Sequence, residues 1–380
     1  MPDAPMASRS DTWRDAQRLL CIRLDAMGDV IMTGPALRAV KESASGRHVT
    51  LLTSPSGAEA AWLMPFVDEI VLYEAPWMKA GGPRVSASLD RLIIEDLRAM
   101  RFDAAIIFTV YSQNPLPAAL LCDLADIPLR LAHCRENPYR LLTDWVREPE
   151  PETCLRHEVR RQLDLVGAVG AHTADEHLSL DVPRSASNGI DRLFDDLAGR
   201  DGNHIVAIHA GATASSRRYP WEQFAVVAAR LVNELNCTVI FTGIESEREL
   251  VESIRARMAV PSHSLVGQLD LPRLAAFLAR ASLLISNNTG TVHVAAAVGT
   301  PIVDLYALTN PQHTPWMVSH RVLSHDVPCK FCYKSICPEG HQDCLRLITP
   351  DEIMTAVAEL LAREPLKAKP GERHLVHARP

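Results

Sequence analysis

Three loops of this chain carry residue types that could act together on an anionic, activated substrate. The first, "RLDAMGDVIMTGPALRAVK" from Arg23 to Lys41, sets Asp29 directly behind Gly28. Gly28 permits a tight turn and close backbone approach. Asp29 at a helix start reads either as a cap or as a carboxylate held at a cleft floor as a general base. The second, "HAGATASSRRYPWEQF" from His209 to Phe224, places Gly211, Thr213, Ser215 and Ser216 ahead of Arg217-Arg218. Small residues expose backbone N–H groups, and guanidiniums are charge-assisted donors to phosphate. Taken alone, an arginine pair at a loop end is more often solvated surface. The third, "SNNTGTVHVAAAVGTP" from Ser286 to Pro301, ends an apolar run in Asn287-Asn288-Thr289-Gly290 and opens a helix. Free amides and the positive end of a helix dipole at such a turn form a ready anion site. His293, one turn into that helix, could donate to a phosphate oxygen; the plainer alternative is a half-buried histidine satisfied by a carbonyl.

Short apolar runs alternating with amphipathic segments must position these loops. Strands are expected at 18–24, 48–53, 70–73, 104–110 and 130–132, and again at 204–209, 238–242, 283–286 and 302–306. Helices are expected between them, including 30–42, 221–235, 245–258, 271–280, 291–298 and 350–363. Near-uniformly apolar strands separated by helices indicate parallel sheets covered on both faces. Two such runs indicate an α/β architecture of two Rossmann-like domains, over residues 17–185 and 203–363, with parallel sheets facing across a cleft. Ligands then sit beyond the carboxyl ends of the strands, where the three loops fall. Residues 1–16 and the tail from Glu364 read as poorly ordered, and Asp181 to Asn203 as a polar stretch between the two halves. Only Gly28 and Gly34 follow the first strand, so the dinucleotide fingerprint G-x-G-x-x-G is absent there.

With 380 residues, 47% hydrophobic and 22% charged, the chain is globular and long enough for two domains. A net charge of −7 argues against a nucleic-acid partner. No apolar run approaches a spanning helix, and the polar start does not resemble a secretory signal. The expected location is the cytoplasm, with a lipid substrate met peripherally at the inner membrane face.

Of nine cysteines, Cys21, Cys122, Cys134, Cys154 and Cys237 are scattered, as expected of reduced thiols. Cys329, Cys332, Cys337 and Cys344 are grouped as C-x2-C-x4-C-x6-C. They read as a structural zinc site with His341 as a spare ligand, as an iron–sulfur site, or as plain reduced thiols.

On the three loop segments, together with "FTGIESERELVESI", "SLVGQLDLPRLAAFLARASLLISNNTGTVHVAAAVGTPIVDLYALTNPQHTPW" and "CPEGHQDCLRLITPDEIMTAVAELL", the sequence resembles the heptosyltransferases of glycosyltransferase family 9 from about Arg18 to Arg363. The resemblance implies a GT-B fold and inverting transfer of heptose from ADP-heptose to a lipopolysaccharide-core or other cell-envelope saccharide, with no metal needed for catalysis. It also implies Asp29 as base, with Gly28 in the acceptor-side loop. Arg217, Thr289, Gly290 and His293 would hold the donor phosphates, and Thr213, Glu245, Gly267 and Asn288 would meet the donor sugar or nucleotide. Acceptor recognition is expected in 112–117 and 135–144. The chain departs from the family pattern at Asn288, where Asp is frequent, and at Arg217, where Lys is frequent. Transfer from another nucleotide-sugar, a sugar-nucleotide epimerase, and a non-catalytic nucleotide-sugar binder remain alternatives.

Overall fold

The computed structural model describes residues 9–78, 87–197 and 203–363; the expectations for residues 1–8 and for the tail from Glu364 fall outside these. The chain forms two compact units, Met1–Asp181 and Val182–Pro380.

In the first unit, β1 (Arg18–Arg23), β2 (His48–Thr53), β3 (Glu69–Leu72), β4 (Ala104–Ile107), β5 (Leu129–Cys134) and β6 (Asp144–Arg147) form one parallel sheet in the order β3-β2-β1-β4-β5-β6. The central strands are apolar because helices cover both faces; Leu20, Leu51, Ala105 and Leu131 are fully buried. The chain runs from β1 outward to β3, then returns to the other side of β1 as β4. That reversal opens a crevice beyond the carboxyl ends of β1 and β4. Leu19 pairs with Ala104 and Ile22 with Ile107, and the Phe108 amide reaches Ile22 O at 2.9 Å. Arg23 and the loop after Phe108 therefore face the same crevice.

The second unit repeats the plan with β7 (Ile205–His209), β8 (Thr238–Thr242), β9 (His263–Ser264), β10 (Leu283–Asn287), β11 (Ile302–Leu305) and β12 (His320–Leu323), ordered β12-β11-β10-β7-β8-β9 and all parallel. Here the order reverses between β7 and β10. Ser286 pairs with His209, which sets Asn287 beside Ala210. The two loops expected to hold an anion thus leave adjacent strands at the reversal.

Most expected elements are present, with shifts at their ends. β4 stops at Ile107 although the apolar run continues to Val110, because residues 108–110 turn away to line the crevice. The expected 245–258 helix begins with a 3₁₀ turn, Glu245–Glu247, before the α-helix Arg248–Met258. Two expectations are corrected. The 181–203 stretch contains the helix Arg184–Leu197, whose Ile190 and Phe194 are buried; Phe194 lies 5.7 Å from the Phe277 ring, and Asp191 pairs with Arg280. Its sparse apolar residues fall on one face, which a polar composition hides. Residues 9–15 form a helix rather than a loose end, and Trp13 donates from Nε1 to Asp144 Oδ2 at 2.9 Å. β6, β9 and β12 and the helix Pro55–Ala61 were not expected; each is short, and the three strands lie at or near sheet edges. Among the described residues, no helix is long and apolar enough to cross a membrane.

Candidate functional site

The crevice of the first unit is a pocket of about 800 Å3 lined by Asp25, Asp29, Trp77, Met78, Phe108 and Gln113 among others. Its floor is a buried charge cluster. Arg23, the last residue of β1, is wholly buried, and its guanidinium meets three carboxylates: Nε–Asp25 at 2.8 Å, Nη2–Asp29 at 3.2 Å and Nη1–Glu158 at 2.8 Å. Burial works against the arginine's charge, but Asp25, Glu158 and Asp29 outweigh it and hold the group protonated. Asp29 sits in the first turn of the helix Met27–Glu42, where the helix dipole favours a carboxylate. Its side chain is 21% exposed, so it stays open to a ligand. Gly28, half-buried in the same turn, precedes it.

Asp25 is the second carboxylate of this pocket. Gln113 donates to its Oδ1 at 2.5 Å, and Ser54 donates to its backbone oxygen at 2.7 Å. Burial pushes the Asp25 carboxyl up to about 6 against the pull of Arg23, with Asp29 adding to the rise. Glu158 arrives from the helix Glu158–Gly167, which also sends Gln162 Nε2 to Thr109 O at 2.9 Å. Ser112, Asn114 and Pro117 of the expected acceptor loop line the pocket too.

In the second unit, Asn287 stitches the two loops together. Its Nδ2 donates to Ala210 O at 2.7 Å, and its Oδ1 accepts from the Tyr219 amide at 2.9 Å. Asn288, 5% exposed, donates from Nδ2 to Asp304 Oδ2 at 3.1 Å and to His313 O at 2.9 Å. Asp304 is wholly buried at the end of β11, and its Oδ1 has no hydrogen-bond partner. Burial pushes its carboxyl up to about 8, although the Asn288 hydrogen bond and the charge of Arg217 pull it down. It is therefore protonated at neutral pH. Arg217 ends the turn Ser215–Arg217 within electrostatic reach of both Asp304 and Tyr306. Among the described residues, no protein group forms a hydrogen bond or ion pair with its guanidinium.

Thr289 caps the helix Gly290–Ala297 through its backbone; its buried Oγ1 has no hydrogen-bond partner. His293 is 4% exposed, and Thr213 lies on the surface. Arg217, Asn288, Thr289 and Gly290 thus come together at the sheet reversal. Glu245 stands apart from them, exposed and paired with Arg248 at 2.6 Å. It packs over Gly267, whose φ of +72° favours glycine: an added Cβ would lie 2.1 Å from Glu245 Oε2 and push that side chain aside. The carboxylate beside the reversal is that of Glu247. It accepts from the Ile244 amide at 2.9 Å, lies 4.0 Å from His209 Nε2, and occupies the space that side chains at Gly211 and Gly243 would fill. Sequence reasoning missed Asp25, Glu158 and Glu247. The Gly211 and Gly243 pair opposite an acidic residue was a signal for Glu247, whereas nothing local marked Glu158.

The four grouped cysteines are free thiols surrounding one small cavity with His341, Ser216 and Thr309. Burial and the neighbouring thiols of Cys337, Cys329 and Cys332 push the Cys344 thiol up. Among the described residues, no three His, Cys, Asp or Glu side chains are drawn together closely enough to hold a metal ion as they stand.

Residues 91–342 match the family described as glycosyltransferase family 9 (heptosyltransferase). Lipopolysaccharide heptosyltransferase 2 of Salmonella typhimurium is 24% identical over 359 residues, covering 91% of this chain and 99% of that protein. The glycosyl transferase family 9 structure from Veillonella parvula aligns with a TM-score of 0.76 at 22% identity, over 92% of this chain and 98% of that one. The structure of E. coli ADP-heptose lps heptosyltransferase II aligns with a TM-score of 0.69 at 23% identity, over 91% and 99%. These likenesses give the fold class as GT-B, as expected from the sequence.

Two measurements test the electrostatics. The unfolded chain releases the Asp304 proton near pH 3.9, whereas the folded chain keeps it to about 8. The contribution of this group to stability is therefore present at low pH and lost as pH rises through that window. Urea denaturation should show the stability difference between the wild type and Asp304→Asn changing steadily between pH 4 and 8, a dependence that vanishes if Asp304 is ionised at neutral pH. Asn288→Asp removes the donor to His313 O and sets a second carboxyl against Asp304. It should cost about 1–3 kcal/mol, partly recovered in the double variant with Asp304→Asn; purely additive losses would show that the two side chains do not interact.

Proposed function

The chain belongs to glycosyltransferase family 9, the heptosyltransferases, and from that premise we propose that it moves heptose from ADP-heptose to a saccharide of the lipopolysaccharide core, with inversion at the anomeric carbon. The observation that carries the reading is Asp29, a partly exposed carboxylate at the floor of the first unit's switch-point pocket, held by a buried arginine. ADP-heptose and lipopolysaccharide appear in the names of the similar proteins, and they supply the substrate half of the proposal.

Asp29 takes the proton of an acceptor hydroxyl as that oxygen attacks the anomeric carbon. The bond from that carbon to the phosphate oxygen breaks, and ADP leaves carrying the negative charge. Arg217, the amides at Thr289 and Gly290, and His293 meet the diphosphate. Such preorganised donors are worth on the order of 100-fold in rate each. Arg217 suits this role because, among the described residues, no carboxylate forms an ion pair with its guanidinium. Thr213, Glu245 and Gly267 contact the sugar or nucleotide. Asn288 joins the phosphate turn to protonated Asp304 by donating to its carboxyl oxygen. Asp25 balances the charge of Arg23, so that Asp29 faces a shared rather than a dedicated cation.

The acceptor is lipid-linked, and the enzyme meets it from the cytoplasm at the membrane face. The apolar lining of Trp77, Met78 and Phe108 suits the less polar face of a sugar ring. A second reading, transfer from a different nucleotide-sugar, is favoured by one observation: both amide hydrogens of Asn288 are committed to protein acceptors.

Asp29→Ala should abolish transfer while calorimetry shows ADP-heptose bound as by the wild type; undiminished turnover removes Asp29 from the role of base. The kcat/KM profile of the wild type should have an acid limb centred near 6, set by Asp25. Asp25→Asn should lose that limb and keep its donor affinity, and an unchanged limb would show that Asp25 does not govern it.

A further inference from the structure

The grouped cysteines lie outside the machinery described above, yet the chain packs them against it. The Ser216 amide donates to Ser335 O at 3.1 Å and the Ser216 hydroxyl to Lys334 O at 2.7 Å. Gln342 Nε2 donates to Ser215 O at 2.7 Å. On the other side, the amides of Phe331 and Tyr333 reach Leu308 O at 2.6 Å and Thr309 O at 2.8 Å. The cysteine segment is therefore a bridge between the turn that carries Arg217 and the chain leaving β11.

Three features of the segment point to a metal. First, Cys329, Cys332, Cys337 and Cys344 all line one cavity of about 20 Å3, close to the size of a single ion or water. Second, Phe331, Tyr333 and Gln342 have φ of 60°, 54° and 53°, and Gly340 has 71°. Left-handed backbone is unusual for bulky residues and persists where the surroundings demand it. Here it folds the chain back around Cys332 and again ahead of Cys344, turning the thiols inward. Third, the Asp343 amide donates to His341 Nδ1 at 2.9 Å, which leaves the ring proton on Nε2, 3.7 Å from Cys329 Sγ. Ring orientation of this kind is what outer partners of thiolate sites supply.

We propose that Cys329, Cys332, Cys337 and Cys344 bind one divalent transition metal, zinc in the first instance, as a structural clip that holds the Ser215–Arg217 turn in place. Four thiolates close a tetrahedral site with no open position, so the ion has no part in the transfer chemistry. Binding releases the thiol protons and draws the four sulfurs inward from the cavity wall. His341 is the outer partner of Cys329 rather than a ligand. A plain group of reduced thiols would need neither the shared cavity nor the left-handed turns.

The test is metal analysis of the full chain purified without chelator from medium supplied with zinc and iron. One metal per chain is expected, retained in His341→Gln and in Cys154→Ser, and lost when all four grouped cysteines are changed to Ser. Should that fourfold variant fail to fold, Co2+ loading of the stripped wild type gives the same answer through intense thiolate-to-cobalt absorption. Zinc or ferrous iron held by these thiols supports the site. A wild type with no metal and no cobalt–thiolate absorption overturns it, as does a folded fourfold variant that retains the metal. The clip role rests on the proposed donor site. Stripping the metal should weaken ADP binding about tenfold through loss of a pre-ordered turn. Unchanged ADP affinity in the stripped chain overturns the clip but not the donor site, whereas a metal-loaded chain that binds no ADP overturns the donor site.

Discussion

The guanidinium of Arg23 sits at the end of the first strand with no access to solvent, and much of the first unit is arranged to keep it charged. An unpaired charge at that depth would cost several kcal/mol. Three carboxylates from three places answer it: Asp25 from the loop after β1, Asp29 from the next helix, and Glu158 from a helix more than a hundred residues on. The pairings tie the turn after β1 to the helix Glu158–Gly167 and hold Asp29, the proposed base, in place. Asp29 is the most exposed of the three, which is what a base needs. Asp25 is nearly closed off and burial raises its carboxyl to about 6, so it balances the charge of Arg23 only above that pH.

The second unit solves a related problem with neutral groups. A buried carboxylate at the end of β11 would repel an anionic ligand and resist burial. Asp304 avoids both by keeping its proton, and Asn288 provides the donor that suits it. An aspartate at 288 would face an acceptor carbonyl at His313 and a second carboxyl. Asn288 is therefore understandable as a local fit to Asp304, independently of what the donor sugar requires. Arg217 remains the positive charge of the neighbourhood, with no carboxylate of the described residues forming an ion pair with it.

The fold was legible because its strands are apolar throughout and its helices follow at regular intervals, a pattern with few solutions other than paired parallel sheets. The segments around Asp29, Arg217 and Thr289–Gly290 were legible because small residues, charge and strand ends coincide in each. Asp25 stood in plain view four residues ahead of Asp29 but had no pattern of its own; only the burial of Arg23 gives it a part. Glu158 was invisible, since its partner is 135 residues away and an acidic residue in a helix's first turn looks like ordinary capping. Glu245 drew attention ahead of Glu247 because the two share a turn, and only the backbone decides which side chain points to the glycines. The helix Arg184–Leu197 was hidden by a composition too polar to betray its single buried face.

The most direct measurement is mass spectrometry of a heptose-deficient lipopolysaccharide core incubated with the purified chain and ADP-heptose, with released ADP quantified in parallel. One heptosyl unit gained by the acceptor for each ADP released, and no ADP without acceptor, is the result required of a base and a donor site working together. Consumption of ADP-heptose in the absence of acceptor, or none in its presence, would contradict it.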